Sequence, residues 1–255
     1  MITVIDGRVA GPESALPLLA RYGHFTAMQV RDRRTRGLDL HLARLTAANR
    51  ELFGLDLDTA LVIDSIRTAL GDDLTDASVR VYVQAADADD RPHVFVTARP
   101  PIAVATTPRS VRPVGYQRFL PHIKHLGGFP QAYYGSLLHA EGYDEGLLTG
   151  PGGLISEGLI TNLGCFDGTA VIWPDAPMLH GITMQLMERA LEPAGIPQER
   201  RPVRVADLPA YEAVFLTNSH GVVMVGRLEE AALKLDEAFA ARLLALYEDV
   251  AWDAI

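Results

Sequence analysis

From Val79 to Gln84 the chain alternates without a break: Val79, Val81 and Val83 fall on one side, Arg80, Tyr82 and Gln84 on the other. Period-two patterning of this kind predicts a half-buried strand, and Val94 to Thr97 is its expected return partner. Upstream the period changes. Leu42, Leu45, Asn49 and Leu52 mark one face of a helix that Asp39 is expected to cap and Gly54 to stop, with Arg44 off that stripe. A second helix is predicted over Asp58 to Leu70, with Ile63, Ile66 and Leu70 on one face and Gly71 just beyond. Ahead of both lie a turn at Asp6-Gly7 and an apolar run from Phe25 to Val30, bounded by the charges of Arg31 to Arg34.

Between Pro100 and Pro113 the sequence carries four prolines and no helical period, the pattern of a linker. It predicts two lobes, a small α/β lobe over 1–109 and a larger α+β lobe over 110–255. In the second, a helix is expected around Gln131 to Ala140 and a strand around Glu145 to Leu148. A Gly150-Pro151-Gly152-Gly153 turn then leads into a strand ending at Ser156. Asp167-Gly168 is a hairpin signal joining Leu163–Phe166 to Ala170–Trp173. Thr183 to Ala194 reads as a helix ended by Gly195. Strands and helices mixed in both halves make the fold class α+β.

A formal charge of -9 over 255 residues gives no general attraction to nucleic acid or to an anionic membrane, so neither is an expected partner. The chain shows no apolar run of about 18 residues and no basic-then-apolar leader, which predicts a cytoplasmic protein. Cys165, the single cysteine, cannot form an internal disulfide and sits in an apolar stretch expected to bury an inert thiol. No metal-ligand set is read.

Four features of the larger lobe can carry chemistry. Lys124, in His122-Ile123-Lys124-His125-Leu126-Gly127-Gly128, has apolar company that can leave its amine neutral and nucleophilic; a solvated surface lysine is the alternative. Glu157 follows an apolar strand, where it can keep a pyridine nitrogen protonated or stand as an edge-strand charge. Gly181-Ile182-Thr183 opens a helix whose free N–H groups suit a phosphate, or forms an ordinary cap. Asn218 and Ser219, in Phe215-Leu216-Thr217-Asn218-Ser219-His220-Gly221, can donate to an anion or simply make a turn.

The order lysine, acid, helix start, polar loop resembles class IV aminotransferases, the fold-type IV group of branched-chain aminotransferase, D-amino acid aminotransferase and aminodeoxychorismate lyase. Upstream, Tyr22-Gly23-His24-Phe25-Thr26 resembles the first active-site strand of that family, and His41-Leu42-Ala43-Arg44-Leu45 its H-L-x-R-L helix. The resemblance implies a two-lobed fold of the D-amino acid aminotransferase type with pyridoxal 5'-phosphate between the lobes. It makes Lys124 the Schiff-base lysine, Glu157 the acid on the pyridine nitrogen and Asn162 the end of E-x-x-x-x-N. Arg44, Ile182, Thr183, Asn218 and Ser219 become the remaining cofactor contacts, and Thr26 and Arg80 the candidate substrate-facing groups. It also implies a homodimer that moves an amino group between an amino acid or amine and a keto acid. The rivals are a lyase of the aminodeoxychorismate type and a cofactor-binding relative without turnover.

This sequence departs from the family pattern in three places. Phe129 stands where branched-chain aminotransferases have tyrosine, Met184 where arginine is common, and Trp173-Pro174 where Thr-Pro is usual. Arg91-Pro92-His93 resembles an arginine-x-histidine carboxylate trap, but a solvated hairpin tip has the same composition.

Overall fold

The computed structural model describes residues 2–9, 22–85 and 91–255. They form two compact units. The first comprises Met1–Ala103, Ile123–Gly128 and Ala251–Ile255; the second, Val104–His122 and Phe129–Val250. The sequence reading has a single boundary at 109/110 and puts Lys124 in the second lobe. In the structure the Lys124 segment clusters with the first unit, because its backbone is bound there: the Phe25 N–H donates to the Lys124 carbonyl at 2.9 Å and the Leu126 N–H to the Gly23 carbonyl at 3.0 Å.

In the first unit, strands β1 (Ile2–Ile5), β2 (Arg8–Val9), β3 (Tyr22–Val30), β5 (Ala77–Ala85) and β6 (His93–Arg99) form one antiparallel sheet in the order β2-β1-β6-β5-β3. A short β4 (Arg34–Thr35) pairs with Asp253–Ala254. The predicted alternation holds: Val79, Val81 and Val83 are fully buried, and each such side chain removed from water contributes about 1.5–3 kcal/mol. They pack with α1 (Leu38–Phe53) and α2 (Thr59–Leu70), whose core residues are Leu45, Val62, Ile66, Ala69 and Leu70. Gln84, read as open-face, is buried.

Helix ends follow local chemistry only in part. Asp58 caps α2 by accepting from the Ala60 and Leu61 N–H groups, and Gly54 closes α1 at φ 66°. Asp39, however, is inside α1, whose N-cap is Gly37 without a side-chain bond. Ile66 and Leu70 are buried as expected, but Ile63 is only half-buried and Val62 takes the core position beside them.

The second unit orders its main strands β12-β11-β10-β13-β14-β7-β8-β9. These are β7 (Arg109–Val114), β8 (Glu145–Thr149), β9 (Ile155–Gly158), β10 (Asn162–Phe166), β11 (Val171–Pro174), β12 (Gln198–Arg201), β13 (Ala213–Asn218) and β14 (Gly221–Leu228). With them go α3 (Phe129–Ala140), α4 (Ile182–Leu191) and α5 (Glu237–Glu248). The expected hairpin across Asp167-Gly168 pairs Cys165 with Ile172, and Cys165 is buried with its thiol pKa pushed up by desolvation. Helix α4 stops at Leu191, earlier than Ala194, because Pro193 disfavours helical backbone before it and has no N–H to give.

Glu145, at the start of β8, is 8% exposed and accepts the N–H groups of Gly146 at 2.9 Å and Leu159 at 3.1 Å. Burial raises its pKa to about 7 despite those bonds. The folded state therefore holds this proton where the unfolded chain has released it, so stability is lost as pH rises from the ordinary carboxylate range through about 7. Glu145→Gln keeps an acceptor for both N–H groups and removes the titration. Its stability relative to the parent should rise by about 2 kcal/mol between roughly pH 5 and pH 8. Urea unfolding at the two pH values checks this, and a difference independent of pH would refute it.

Candidate active site

In the first unit the catalytic candidates gather around β3. The segment 123–126 runs antiparallel beside β3, with His24 facing His125 in an isolated bridge. This places the half-buried Lys124 ammonium over the Phe25 ring, 5.0 Å from its centroid, where the ring face attracts a cation. On the opposite face of β3, Thr26 is fully buried against α1. Its hydroxyl lies 2.6 Å from His41 Nδ1 and accepts from Arg44 Nη2.

Thr26 and Arg80 do not share a wall. Ala27 pairs with Arg80 across the sheet while Thr26 pairs with Val81, so the exposed Arg80 lies on the face of Phe25, and Thr26 is sealed beneath the other. Burial, not a shared pocket, accounts for Thr26. His93 of the Arg91-Pro92-His93 tip pairs with Asp6 at 2.7 Å.

Arg44 is the electrostatic oddity of this unit. Its Nε is buried without a partner, and no carboxylate among the described residues pairs with it. Desolvation lowers its pKa to about 10. The neighbouring imidazoles cannot compensate: burial, with Arg44's charge adding to it, holds His24 down at about 4 and His41 well below its usual value. Arg44 is half-buried with its Nε shut off from solvent, and a partly desolvated cation without a counter-charge carries a cost that a bound anion would offset.

In the second unit the candidates meet around the start of α4. Glu157, on β9, is 5% exposed and ion-paired with Arg118 at 3.2 Å; the Leu179 N–H approaches its other oxygen at 3.3 Å. The edge-strand position is real, since β9 ends the sheet, but the carboxylate is buried. Asn162 Nδ2 donates to the Leu179 carbonyl at 2.7 Å. Its Oδ1 lies so near Gly181 that an added Cβ there would stand 2.1 Å away, so only glycine fits this N-cap. Asn162 thus holds the turn into α4. Thr183 gives its hydroxyl proton to the Asn218 carbonyl at 2.5 Å, which ties the helix start to the β13–β14 hairpin. The Ile182 and Thr183 N–H groups, in the first turn of a helix, remain the groups suited to an anion. Ser219 and His220 form a two-residue turn between Asn218 and Gly221, and Asn218 Oδ1 accepts the His220 N–H at 2.8 Å.

The class IV amino-transferase family model matches residues 23–228. The chain belongs to that family. Solved structures agree on the fold. Branched-chain aminotransferase from Thermoproteus uzoniensis, solved with norvaline, is 17% identical, with 97% of this chain and 93% of that chain covered and a TM-score of 0.86. A hypothetical aminotransferase from Mycobacterium tuberculosis is 20% identical over 98% of each chain, with a TM-score of 0.82. The Escherichia coli branched-chain enzyme is 17% identical over 98% of this chain and 94% of that one, with a TM-score of 0.83. No curated protein matches by sequence.

As a class IV aminotransferase the chain is a transaminase, and pyridoxal 5'-phosphate is its cofactor. In each unit the residues present suit that group: in the first a guanidinium with no carboxylate partner among the described residues, and in the second an uncapped helix start and a buried carboxylate, the chemistry that a phosphate and a pyridine nitrogen need. Such an enzyme also needs a lysine, and the chain has two, Lys124 and Lys234. Lys234 is half exposed and paired with Glu212 at 2.9 Å. That count is a sequence signal the motif reading did not use. Arg118 carried no signal at all, because the residues around it in sequence do not include Glu157. His41 stands three residues before Arg44 on the same helix, a spacing that places the two side by side.

The family departures have separate causes. Met184 is wholly buried among Trp173, Met187 and Phe215, where an arginine would be an unpaired charge. Phe129 is 79% exposed and stacks with Tyr133. Among the described residues no helix is long and apolar enough to cross a membrane.

Proposed function

We propose that this transaminase passes an amino group from an amino acid or amine to a keto acid with Lys124 as the carrier lysine. The observation that carries the assignment is that, of the two lysines in the chain, only Lys124 lies within the family match over residues 23–228, with Lys234 beyond it. Bound at such a site, pyridoxal 5'-phosphate draws electrons from the carbon bearing the amino group and so acidifies it. Lys124 Nζ would hold the cofactor and, once displaced by the amine substrate, would take the proton from that substrate carbon and deliver it to the cofactor's carbon. Glu157, braced by Arg118, keeps the pyridine nitrogen protonated. Arg44, the Ile182 and Thr183 N–H groups, Asn218 and Ser219 are the groups that would hold the phosphate, while Asn162 positions the α4 start. Arg80, on the open face with Phe25, is the substrate-facing candidate that remains after Thr26. The protein is cytoplasmic and a homodimer in this reading; the exposed apolar stripe of Phe129, Tyr133 and Leu137 on α3 supports the dimer, which sedimentation equilibrium tests.

An amino donor alone should release about one equivalent of keto acid per active site and then stop, with release resuming when a keto acid acceptor is added. Rapid-quench product counting reads this. Continuous product release from aminodeoxychorismate without acceptor would instead establish a lyase.

A further inference from the structure

The Thr26 hydroxyl sits between two groups whose hydrogen-bonding capacities leave it one arrangement. Arginine has donors only, so Thr26 Oγ1 must accept from Arg44 Nη2. The single hydroxyl proton then goes to His41 Nδ1, 2.6 Å away, which must accept and therefore carries its own proton on Nε2. A charged imidazole would present an N–H at Nδ1 instead, leaving the hydroxyl with two donors and no acceptor for its proton. His41 is 3% exposed and Thr26 fully buried, so water does not substitute for either bond. The bonds also cross elements: His41 and Arg44 lie on α1, and Thr26 on β3.

We propose that His41, acting through Thr26 Oγ1, is a positioning residue that fixes the Arg44 guanidinium in the orientation in which it receives the cofactor's phosphate. This rests on the reading of Arg44 as a phosphate ligand. A guanidinium at the end of a long side chain loses rotational freedom when it binds; one whose Nη2 is already tethered loses less and presents its planar donors in a set direction. Thr26 is thus part of the phosphate site while touching neither phosphate nor substrate. The relay also gives Arg44 a neutral partner and not a carboxylate, so the full positive charge is left for the anion.

The test compares the cofactor with pyridoxal, which lacks the phosphate. Dissociation constants of both are measured by visible titration of the purified protein stripped of cofactor, and pyridoxal 5'-phosphate retention of the loaded enzyme by dialysis. Thr26→Val keeps the shape of the side chain and removes the hydroxyl. It should weaken pyridoxal 5'-phosphate roughly tenfold and leave pyridoxal unchanged. Thr26→Ser should restore the parent value, and His41→Phe should match Thr26→Val. In an Arg44→Ala background, Thr26→Val should cost nothing further, since the hydroxyl acts only through that arginine. Equal weakening of pyridoxal and its phosphate by Thr26→Val would mean a merely structural role and overturn the proposal. So would parental phosphate affinity in Thr26→Val when Arg44→Ala has lost it. If Arg44→Ala itself binds the cofactor as the parent does, the phosphate-ligand reading of Arg44 falls, and this proposal with it.

Discussion

Lys124→Ala is expected to lower turnover by roughly a thousandfold or more, because it removes both the amine that holds the cofactor and the group that moves the proton. The fold should survive. What ties this segment to β3 is backbone, the Phe25 and Leu126 N–H bonds, and the substitution leaves those intact. The side-chain loss includes a half-buried stem and the contact over Phe25, and the unfolding midpoint should fall by about 4 °C. Borohydride reduction of the loaded parent followed by peptide mass spectrometry supplies the decisive check. The cofactor mass should be fixed on the peptide containing Lys124. Finding it on the peptide with Lys234 would overturn the assignment, and the substituted protein should fix none.

Glu157→Gln is expected to retain the cofactor and slow amine transfer about a hundredfold, since a neutral amide cannot hold the pyridine nitrogen protonated. The structure adds a second consequence. Arg118 and Glu157 are each 6% exposed at the side chain, so the amide leaves a buried guanidinium facing a neutral partner. About 2 kcal/mol of stability should go with it, less than for full removal because the amide oxygen still accepts a hydrogen bond. The two effects separate experimentally, the first in single-turnover rates with excess cofactor and the second in denaturant midpoints. If stability falls while single-turnover transfer stays at the parent rate, Glu157 serves Arg118 and not the cofactor.

What could be read from the sequence is what neighbouring residues settle among themselves. The Val79, Val81, Val83 alternation, the span of α2 up to Leu70, the Gly54 stop and the Asp167-Gly168 hairpin all depend on backbone geometry within a few residues, and all stand where expected. The order of lysine, acid and helix start was legible in the same way, as a motif. Facing and pairing were not. Which side of β3 Thr26 occupies, and which α2 residue meets the sheet, depend on how elements far apart in sequence pack. Val62 and Ile63 are equally apolar neighbours locally, yet packing puts Val62 and not Ile63 in the core with Ile66 and Leu70. Pairings such as Glu157 with Arg118 or Thr26 with His41 and Arg44 join residues 39, 15 and 18 positions apart, so no local pattern holds them. The sequence by itself determined the elements, the family resemblance and the residues capable of the chemistry. Only the tertiary structure decided that Thr26 turns away from Arg80 to brace Arg44, because burial is a property of the packed whole and not of a stretch of chain.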